Sequence, residues 1–205
     1  MIIAVIFTGV PKYQNLRIHF VDVGQGDCTL AITPTGKTIL IDGGGSEDTE
    51  NYDVGESVLV PYLLDRRIST IDFMMVSHFH ADHSNGLLAV LENLDVKNVI
   101  FAQQQNMCKE YEEFIERAKK NNSKIIIAKD GQTISIDKNT KIEIIQAGIK
   151  SDNLNNTSII AKLVYGNFSM LFTGDAEVEE EQKVLKKHVK ADVLKVGHHR
   201  FYNIK

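Results

Sequence analysis

The sequence predicts an α/β (α+β) fold in which two β-sheets pack face to face between outer layers of helices, a four-layer αββα sandwich. Two observations support this prediction. Strand-like apolar runs and amphipathic helical repeats alternate in two successive blocks along the 205 residues. Metal-binding residue types also follow predicted strands in both blocks, and strand ends at one edge of a sheet converge. We therefore expect a single domain over residues 1–205 with a site at that edge.

Short strands dominate the first block, and Gly-containing turns separate them. Three runs predict a meander of strands: LRIHFVDV (16–23), CTLAIT (28–33) and KTILID (37–42). The segment GESVLVPYLLDR (55–66) predicts a helix that Pro61 could break. The apolar run IDFMMVS (71–77) lies between polar residues, as expected of a buried strand.

The hydrophobic period then lengthens to that of a helix. Apolar residues at i, i+3, i+4 and i+7 predict helices over 87–94 and 111–118, each followed by a strand, NVIFA (98–102) and KIIIA (124–128). The second block predicts five further elements: strands TISI (133–136) and KIEIIQA (141–147), a hairpin over 158–175 turning at 166–167, a helix over 176–189 and a last strand DVLKVG (192–197).

Composition excludes some functions. The net charge of -4 gives no electrostatic argument for tight non-specific binding of nucleic acid, and no basic stripe with interleaved aromatic residues is visible along the sequence. A nuclease is not excluded, because a metal site supplies its own positive charge. Cys28 and Cys108 lie too far apart in sequence to suggest a thiolate zinc site, and two cysteines form no disulfide framework.

The apolar stretch MIIAVIFTGV (1–10) precedes Pro11. It is shorter than the about 20 residues that span a bilayer, and it lacks the basic region and cleavage site of a signal peptide. We expect residues 1–15 to form an extra strand or the stub of a longer segment. The sequence thus predicts no transmembrane segment and slightly favours a cytoplasmic location.

The stretch SHFHADHS (77–84) carries four potential metal ligands within six positions: His78, His80, Asp82 and His83. The chain has only seven histidines, so this density indicates a metal site. Neither a regular helix nor a regular strand directs all four side chains to one point, and we predict a loop between a strand ending at Val76 and a helix that follows 85–86. Imidazole and carboxylate are ligands of zinc and similar divalent ions.

Further candidate ligands follow other predicted strands. Asp42 in LIDGGG could orient a metal ligand by a hydrogen bond to its side chain, without binding the metal itself. Asp175 in LFTGD and the pair His198 and His199 in LKVGHH end two strands of the second block. A carboxylate between two cations can bridge them, so the sequence predicts a dinuclear site.

With these motifs in this order, the sequence resembles the metallo-β-lactamase-fold hydrolases. The run HFVDVGQGDCTLAITPTGKTILIDGG (19–44) further resembles the hydrolase domain at the C-terminus of ComEC-type competence and DNA-uptake proteins. SHFHADHSNGL (77–87) and the run NNTSIIAKLVYGNFSMLFTGDAE (155–177) fit the same branch. The resemblance runs from about Leu16 to His199.

The resemblance implies a role for each motif residue. His78 and His80 would bind the first of two divalent ions, zinc or manganese, and Asp82 and His83 would bind the second. Asp175 would bridge the two ions, and Asp42 would hydrogen-bond to the ligands without binding the metal. One of His198 and His199 would complete the second site: we take His199 as the ligand and His198 as the group that touches substrate or transfers a proton.

Two features depart from the family. No histidine lies between His83 and His188, and Asn155 and Asn156 occupy the place where the family has a further ligand. Because an amide oxygen binds zinc more weakly than imidazole, we expect a weaker first site that favours manganese or is open to water, with Asn156 in contact with the ligands rather than with the metal. The chain also ends in HHRFYNIK where the family continues HHGS, so we expect the end of the second half to be missing after 199 and the activity to suffer. A neighbouring subunit could cover the exposed sheet edge in a homo-oligomer.

The predicted function is that of a metal-dependent hydrolase. Two ions would ionise a water molecule, and the resulting hydroxide would attack a phosphodiester such as single-stranded DNA, with Asp82 or His198 managing the proton. The loop GQGD, with Gln25 and Asp27, would shape the floor of the site or serve only as a hairpin turn. Two alternatives remain open: a hydrolase of another ester, amide or thioester, and a degenerate, catalytically impaired metal-binding module.

Overall fold

The computed structural model describes residues 13–46, 52–104, 108–148, 151–185, 187 and 189–197. The predicted stub before residue 13, together with His198 and His199, lies outside the described residues. Among the helices that are described, none is long and apolar enough to cross a membrane.

The first sheet comes from the first block of the sequence. Its strands are β1 Arg17–Phe20, β2 Thr29–Ile32, β3 Thr38–Ile41, β5 Phe73–Met75, β7 Asn98–Phe101 and β8 Lys124–Ile127. They lie in the order β1-β2-β3-β5-β7-β8. The first three strands form the predicted antiparallel meander, and β3, β5, β7 and β8 are parallel. A short parallel pair, β4 Thr70–Ile71 and β6 Asp95–Val96, lies beside it.

Three helices cover the outer face of the first sheet: α1 Val60–Asp65, α2 Ala81–Asn93 and α3 Lys109–Lys120. A π-helical turn at Gly55–Leu59 leads directly into α1. Pro61 therefore does not break the predicted helix. It lies in the first turn of α1, directly after the π-helical turn, and the chain stays helical through it.

The second sheet comes from the second block. Its strands are β9 Thr133–Ser135, β10 Thr140–Ala147, β11 Ile159–Tyr165, β12 Phe168–Phe172 and β13 Val193–Lys195. They lie in the order β13-β12-β11-β10-β9, with β13 parallel to β12 and the other pairs antiparallel. Helix α4, Val178–Leu185, packs through Val184 against the outer face of this sheet.

The core between the sheets confirms the four-layer architecture. Apolar side chains from both sheets form one buried cluster, which includes Ile39, Met75, Ile142, Leu163 and Phe172. A second cluster fills the space between the first sheet and its three helices. Alternate residues of β2 and β3 belong to the two clusters, as expected when both faces of a strand are buried.

Candidate metal centre

The site lies where strands of the two sheets end at the same edge. Asp42 follows β3, Ser77 and His78 follow β5, and Asp175 follows β12. The main chains of the two sheets meet here, because the N–H of Ile159, at the start of β11, donates to the carbonyl oxygen of Ser77 at 2.8 Å. Gly174 adopts a φ of +52°, and a Cβ there would lie 2.9 Å from the Cβ of Ser77. The glycine thus lets the loop that carries Asp175 approach the histidine loop closely.

The histidine motif is split between a loop and a helix. The helix α2 begins at Ala81, so Asp82 and His83 lie in its first turn, while His78 and His80 precede it. The prediction that the loop extends to residues 85–86 was therefore wrong. The main-chain carbonyl of His80 accepts the N–H groups of His83 and Ser84, which closes the first helical turn within the motif. Asp82 suits this position because a negative charge is stabilised at a helix N-terminus.

Asp42 holds His83 in a fixed orientation. One carboxylate oxygen, Oδ1, accepts the N–H of Ser77 at 2.7 Å. The other, Oδ2, lies 3.0 Å from Nδ1 of His83. The opposite ring nitrogen, Nε2, therefore faces Asp175, whose Oδ2 is 3.4 Å away. All of these side chains are buried.

The two carboxylates also set the charge of His83. Burial disfavours the protonated ring, but Asp42 and Asp175 together outweigh this cost and raise the pKa of His83 to about 10. Protonated His83 is thus a cation between two buried carboxylates. A divalent ion beside Asp175 would take over that neutralising role, because imidazole binds metals in its neutral form.

Ser77 connects the ligands to one another. Its hydroxyl oxygen lies 3.1 Å from Nδ1 of His78 and 3.3 Å from Nδ1 of His83. Nε2 of His78 in turn lies 3.0 Å from Nδ1 of His80. Ser77 is not among the site residues predicted from the sequence, although its position directly before the motif and after a buried strand was a signal that it would be enclosed there.

The donor set fits a divalent ion. His78, His83 and Asp175 each offer one ligand atom, and these atoms lie within 4.8 Å of one another. A second group with the same property contains Asp27, Asp42 and His83. Ligands about 2.1 Å from one zinc ion stand about 3.4 Å apart in a tetrahedral arrangement. Nitrogen and carboxylate donors at this spacing need only a small inward movement to bind one ion.

The GQGD loop packs directly beneath the first turn of α2. The N–H of Asp27 donates to the carbonyl oxygen of Asp82 at 3.2 Å, and a Cβ at Gly26 would lie only 1.7 Å from that oxygen. The carbonyl oxygen of Gln25 accepts the N–H of Gly45 at 3.3 Å. The loop is the turn of the β1–β2 hairpin, and it is also in contact with the residues that carry the histidine motif.

Asn156 is buried near the same edge, within a 3₁₀ turn at Leu154–Thr157. Its side-chain oxygen Oδ1 accepts the N–H of Glu177 at 3.2 Å. The N–H of Asp175 itself donates to the hydroxyl of Ser158 at 3.1 Å. The segment after the 3₁₀ turn therefore fixes the backbone on which Asp175 lies.

The chain belongs to the metallo-β-lactamase superfamily, whose profile matches residues 21–203. The particular relatives lie in the branch that the sequence predicted. The chain is similar to ComE operon protein 3 of Bacillus subtilis, with 29% identity over 89% of this chain and 25% of that protein. It is likewise similar to recombination protein 2 of Haemophilus influenzae, with 28% identity over 89% of this chain and 21% of that protein. The chain thus spans about a quarter of the length of these curated relatives.

A shorter match joins the chain to endoribonuclease ysh1 of Aspergillus fumigatus, with 33% identity over 32% of this chain and 7% of that protein. Among solved structures, the Rm3 metallo-beta-lactamase superposes with a TM-score of 0.54 at 15% identity, covering 92% of this chain and 79% of that chain. This likeness confirms the predicted fold.

Proposed function

We propose that the protein is a metal-dependent hydrolase with a dinuclear site that acts on phosphodiesters. One observation carries the proposal: the buried ligand atoms of His78, His83 and Asp175 converge at the edge where strands of the two sheets end. Asp42 holds His83 with its Nε2 towards that point of convergence. Such support of a histidine by a carboxylate is typical of metal sites.

We assign His78 and His80 to the first ion, and Asp82 and His83 to the second. Asp175 would bridge the two, and one of His198 and His199 would complete the second site. When bound, two divalent cations, zinc or manganese, lower the pKa of a water molecule and neutralise the charge that develops on the substrate. The imidazole and carboxylate donors suit either metal.

The residues around the ligands hold them ready for this chemistry. Asp42 fixes the tautomer and orientation of His83, so that its Nε2 faces Asp175. Ser77 holds the rings of His78 and His83 by its hydroxyl. Asp82, in the first turn of α2, and His198 are the groups that we assign to hold or transfer a proton.

The choice of a phosphodiester rests on the relatives. Recombination protein 2 and endoribonuclease ysh1 are, by name, proteins of nucleic-acid metabolism, and both are similar to this chain. We extend that substrate class to this protein and propose DNA as the natural substrate, as in DNA uptake during competence.

Hydrolysis of a small and a large phosphodiester tests the proposal. The purified protein, supplied with Mn²⁺ or Zn²⁺, should hydrolyse bis-(p-nitrophenyl) phosphate and cut single-stranded DNA. His80→Ala should lose at least about a hundredfold in rate, because it removes a ligand that we assign to the first ion, and loss even of a group that supports a ligand lowers affinity or activity about 10- to 100-fold. Lys138→Ala is the matched control, because Lys138 is exposed on the turn before β10. Equal rates for wild type and His80→Ala would refute the proposal.

Two alternatives give other results in the same experiment. A hydrolase of another ester, amide or thioester would act on carboxylic esters or thioesters and leave both phosphodiesters intact. A degenerate module would hold no more than one ion per chain by elemental analysis and turn over none of these substrates. Two ions per chain with phosphodiester turnover would exclude both.

A further inference from the structure

The edge strand β1 presents two different faces. Leu16 and Ile18 pack against the core between the sheets. Because side chains alternate along a strand, Arg17 and His19 lie on the opposite face, towards the helices of the first sheet. His19 reaches α1 there, and its Nδ1 lies 3.0 Å from the hydroxyl oxygen of Tyr62.

Two arginines that act electrostatically on this histidine stack on tyrosines. The guanidinium carbon of Arg17 lies 3.9 Å from the ring centroid of Tyr13, and that of Arg66 lies 3.5 Å from the ring centroid of Tyr62. We call these residues the β1–α1 patch: Tyr13, Arg17, His19, Tyr62 and Arg66. The patch is not visible as a basic stripe in the sequence, because its two segments, 13–19 and 62–66, lie more than forty residues apart.

The patch concentrates positive charge. Among the described residues, none of the ion pairs joins Arg17 or Arg66 to a carboxylate. Burial lowers the pKa of His19, and Arg66 and Arg17 lower it further because both guanidinium groups act on the ring. Nη1 of Arg66 donates to the main-chain carbonyl oxygen of Tyr62 at 3.1 Å. Both stacked guanidinium groups have further N–H donors that can bind a phosphate, while the rings hold them in place.

The patch also lies on a path to the metal centre. From Arg17 to the end of β1 at Phe20 the strand advances about 10 Å. The chain then enters the GQGD loop, where the N–H of Asp27 donates to the carbonyl oxygen of Asp82. A polymer bound along β1 would therefore approach the histidine motif.

We propose that the β1–α1 patch binds the phosphodiester backbone of single-stranded DNA and leads it towards the metal centre. The direction of the path rests on the proposed function, whereas binding itself does not. Arginine pairs with phosphate through two parallel N–H donors, and a stacked guanidinium also offers a flat surface to a base. A flexible single strand can follow a patch of this kind without a groove.

The test measures binding without hydrolysis. Fluorescence anisotropy of a fluorescein-labelled 15-nucleotide oligothymidylate is recorded in EDTA over a series of NaCl concentrations. The double variant Arg17→Gln/Arg66→Gln should bind about tenfold more weakly, and the slope of log affinity against log salt should fall by about 1.4, or about 0.7 for each lost phosphate contact. Lys119→Gln/Lys120→Gln removes the same charge from exposed positions at the end of α3 and should change affinity less than about twofold.

Two further measurements keep the result interpretable. Arg17→Gln alone changes an exposed residue, and its thermal melting should match wild type while its affinity for the oligonucleotide falls. Arg17→Lys/Arg66→Lys should keep the salt slope of wild type, because the charge is retained.

Three results would overturn the proposal: equal affinity of the Gln double variant and wild type, an equal loss in the α3 control, or arginine-dependent binding of anionic phosphatidylserine vesicles without binding of the oligonucleotide. Failure of the proposed hydrolase is scored separately, by turnover of bis-(p-nitrophenyl) phosphate with the wild-type protein.

Discussion

Lys195, at the end of β13 in the second sheet, forms an ion pair with Asp27, which lies in the GQGD loop of the first sheet. Both side chains are mostly buried, and both line a small cavity together with Asp42 and Ser77. The carbonyl oxygen of Lys195 accepts the hydroxyl of Thr173, two residues before Asp175. The pair therefore links the strand beside Asp175 to the loop beneath Asp82.

This link predicts a strong energetic coupling. Lys195→Met should lower the free energy of unfolding by about 3 kcal/mol, because it leaves the Asp27 carboxylate without its buried cation. The double variant Asp27→Asn/Lys195→Met should lose at least about 1 kcal/mol less than the sum of the single variants. Urea denaturation of the four proteins in EDTA measures this, and strictly additive losses would contradict the coupling.

Asp42→Asn should weaken metal binding. The substitution removes the charge that orients His83, and loss of such a supporting group lowers metal affinity about 10- to 100-fold. Titration with Mn²⁺ or Zn²⁺ against a competing chelator gives the dissociation constants. Asp65→Asn, on the exposed side of α1, is the control with the same chemical change and should bind metal as wild type does. Unaltered affinity in Asp42→Asn would contradict the role assigned to this carboxylate.

Gly86→Ala should destabilise the protein although Gly86 lies inside α2. In an exposed helix the change would stabilise by about 1 kcal/mol. Here the new Cβ would lie 2.0 Å from the carbonyl oxygen of Gly43, so we expect a loss of about 1–3 kcal/mol from overpacking.

Gly36→Ala provides the comparison for Gly86→Ala. Its Cβ would meet no atom within 4 Å, and only its φ of +83° disfavours alanine. It should cost about 1–2 kcal/mol. Urea denaturation of both variants gives their free energies of unfolding relative to wild type. A stabilised Gly86→Ala would show that α2 packs less closely on the loop after β3 than in the structure.

Glu180 predicts a pH dependence of stability. This buried residue of α4 accepts a hydrogen bond from Nε2 of Gln146 at 3.3 Å. Burial raises its pKa to about 8 from 4.5. The folded state therefore binds the proton more tightly than the unfolded state. The resulting stabilisation is complete below about pH 4.5 and is lost as pH rises through about 8, with a total on the order of 5 kcal/mol.

Glu180→Gln should remove most of this pH dependence, because glutamine stays neutral. At pH 8.5 the variant should be more stable than wild type, and at pH 5 the two should be nearly equal. Glu179→Gln, on the exposed side of the same helix, should leave the wild-type profile unchanged. Denaturation curves from pH 5 to 9 test this, and parallel profiles for Glu180→Gln and wild type would refute it.

The alternation of strands and helices could be predicted from the sequence because it depends on local periodicity. The runs that became β2, β3, β7 and β8 match the predicted strands to within one or two residues at each end. The start of α2 could not be placed from the sequence. As potential metal ligands, His80 and Asp82 indicate a loop, but both residues are equally compatible with the start of a helix. In the structure the N–H of Gly43 donates to the carbonyl oxygen of His83 and the N–H of Gly86 donates to that of Gly44, so the first turns of α2 pack on the loop after β3.

The sequence by itself determined the class of protein and the residue types of its site, since HxHxDH, the aspartate after LFTG and the order of the motifs require no knowledge of packing. Only the tertiary structure decided which of these groups meet. The contacts of Ser77 with two histidines, the Asp27–Lys195 pair and the β1–α1 patch each join segments whose spacing is set by how strands pair and how the two sheets stack. Such long-range geometry results from burial of the whole core, and no local pattern of residues encodes it.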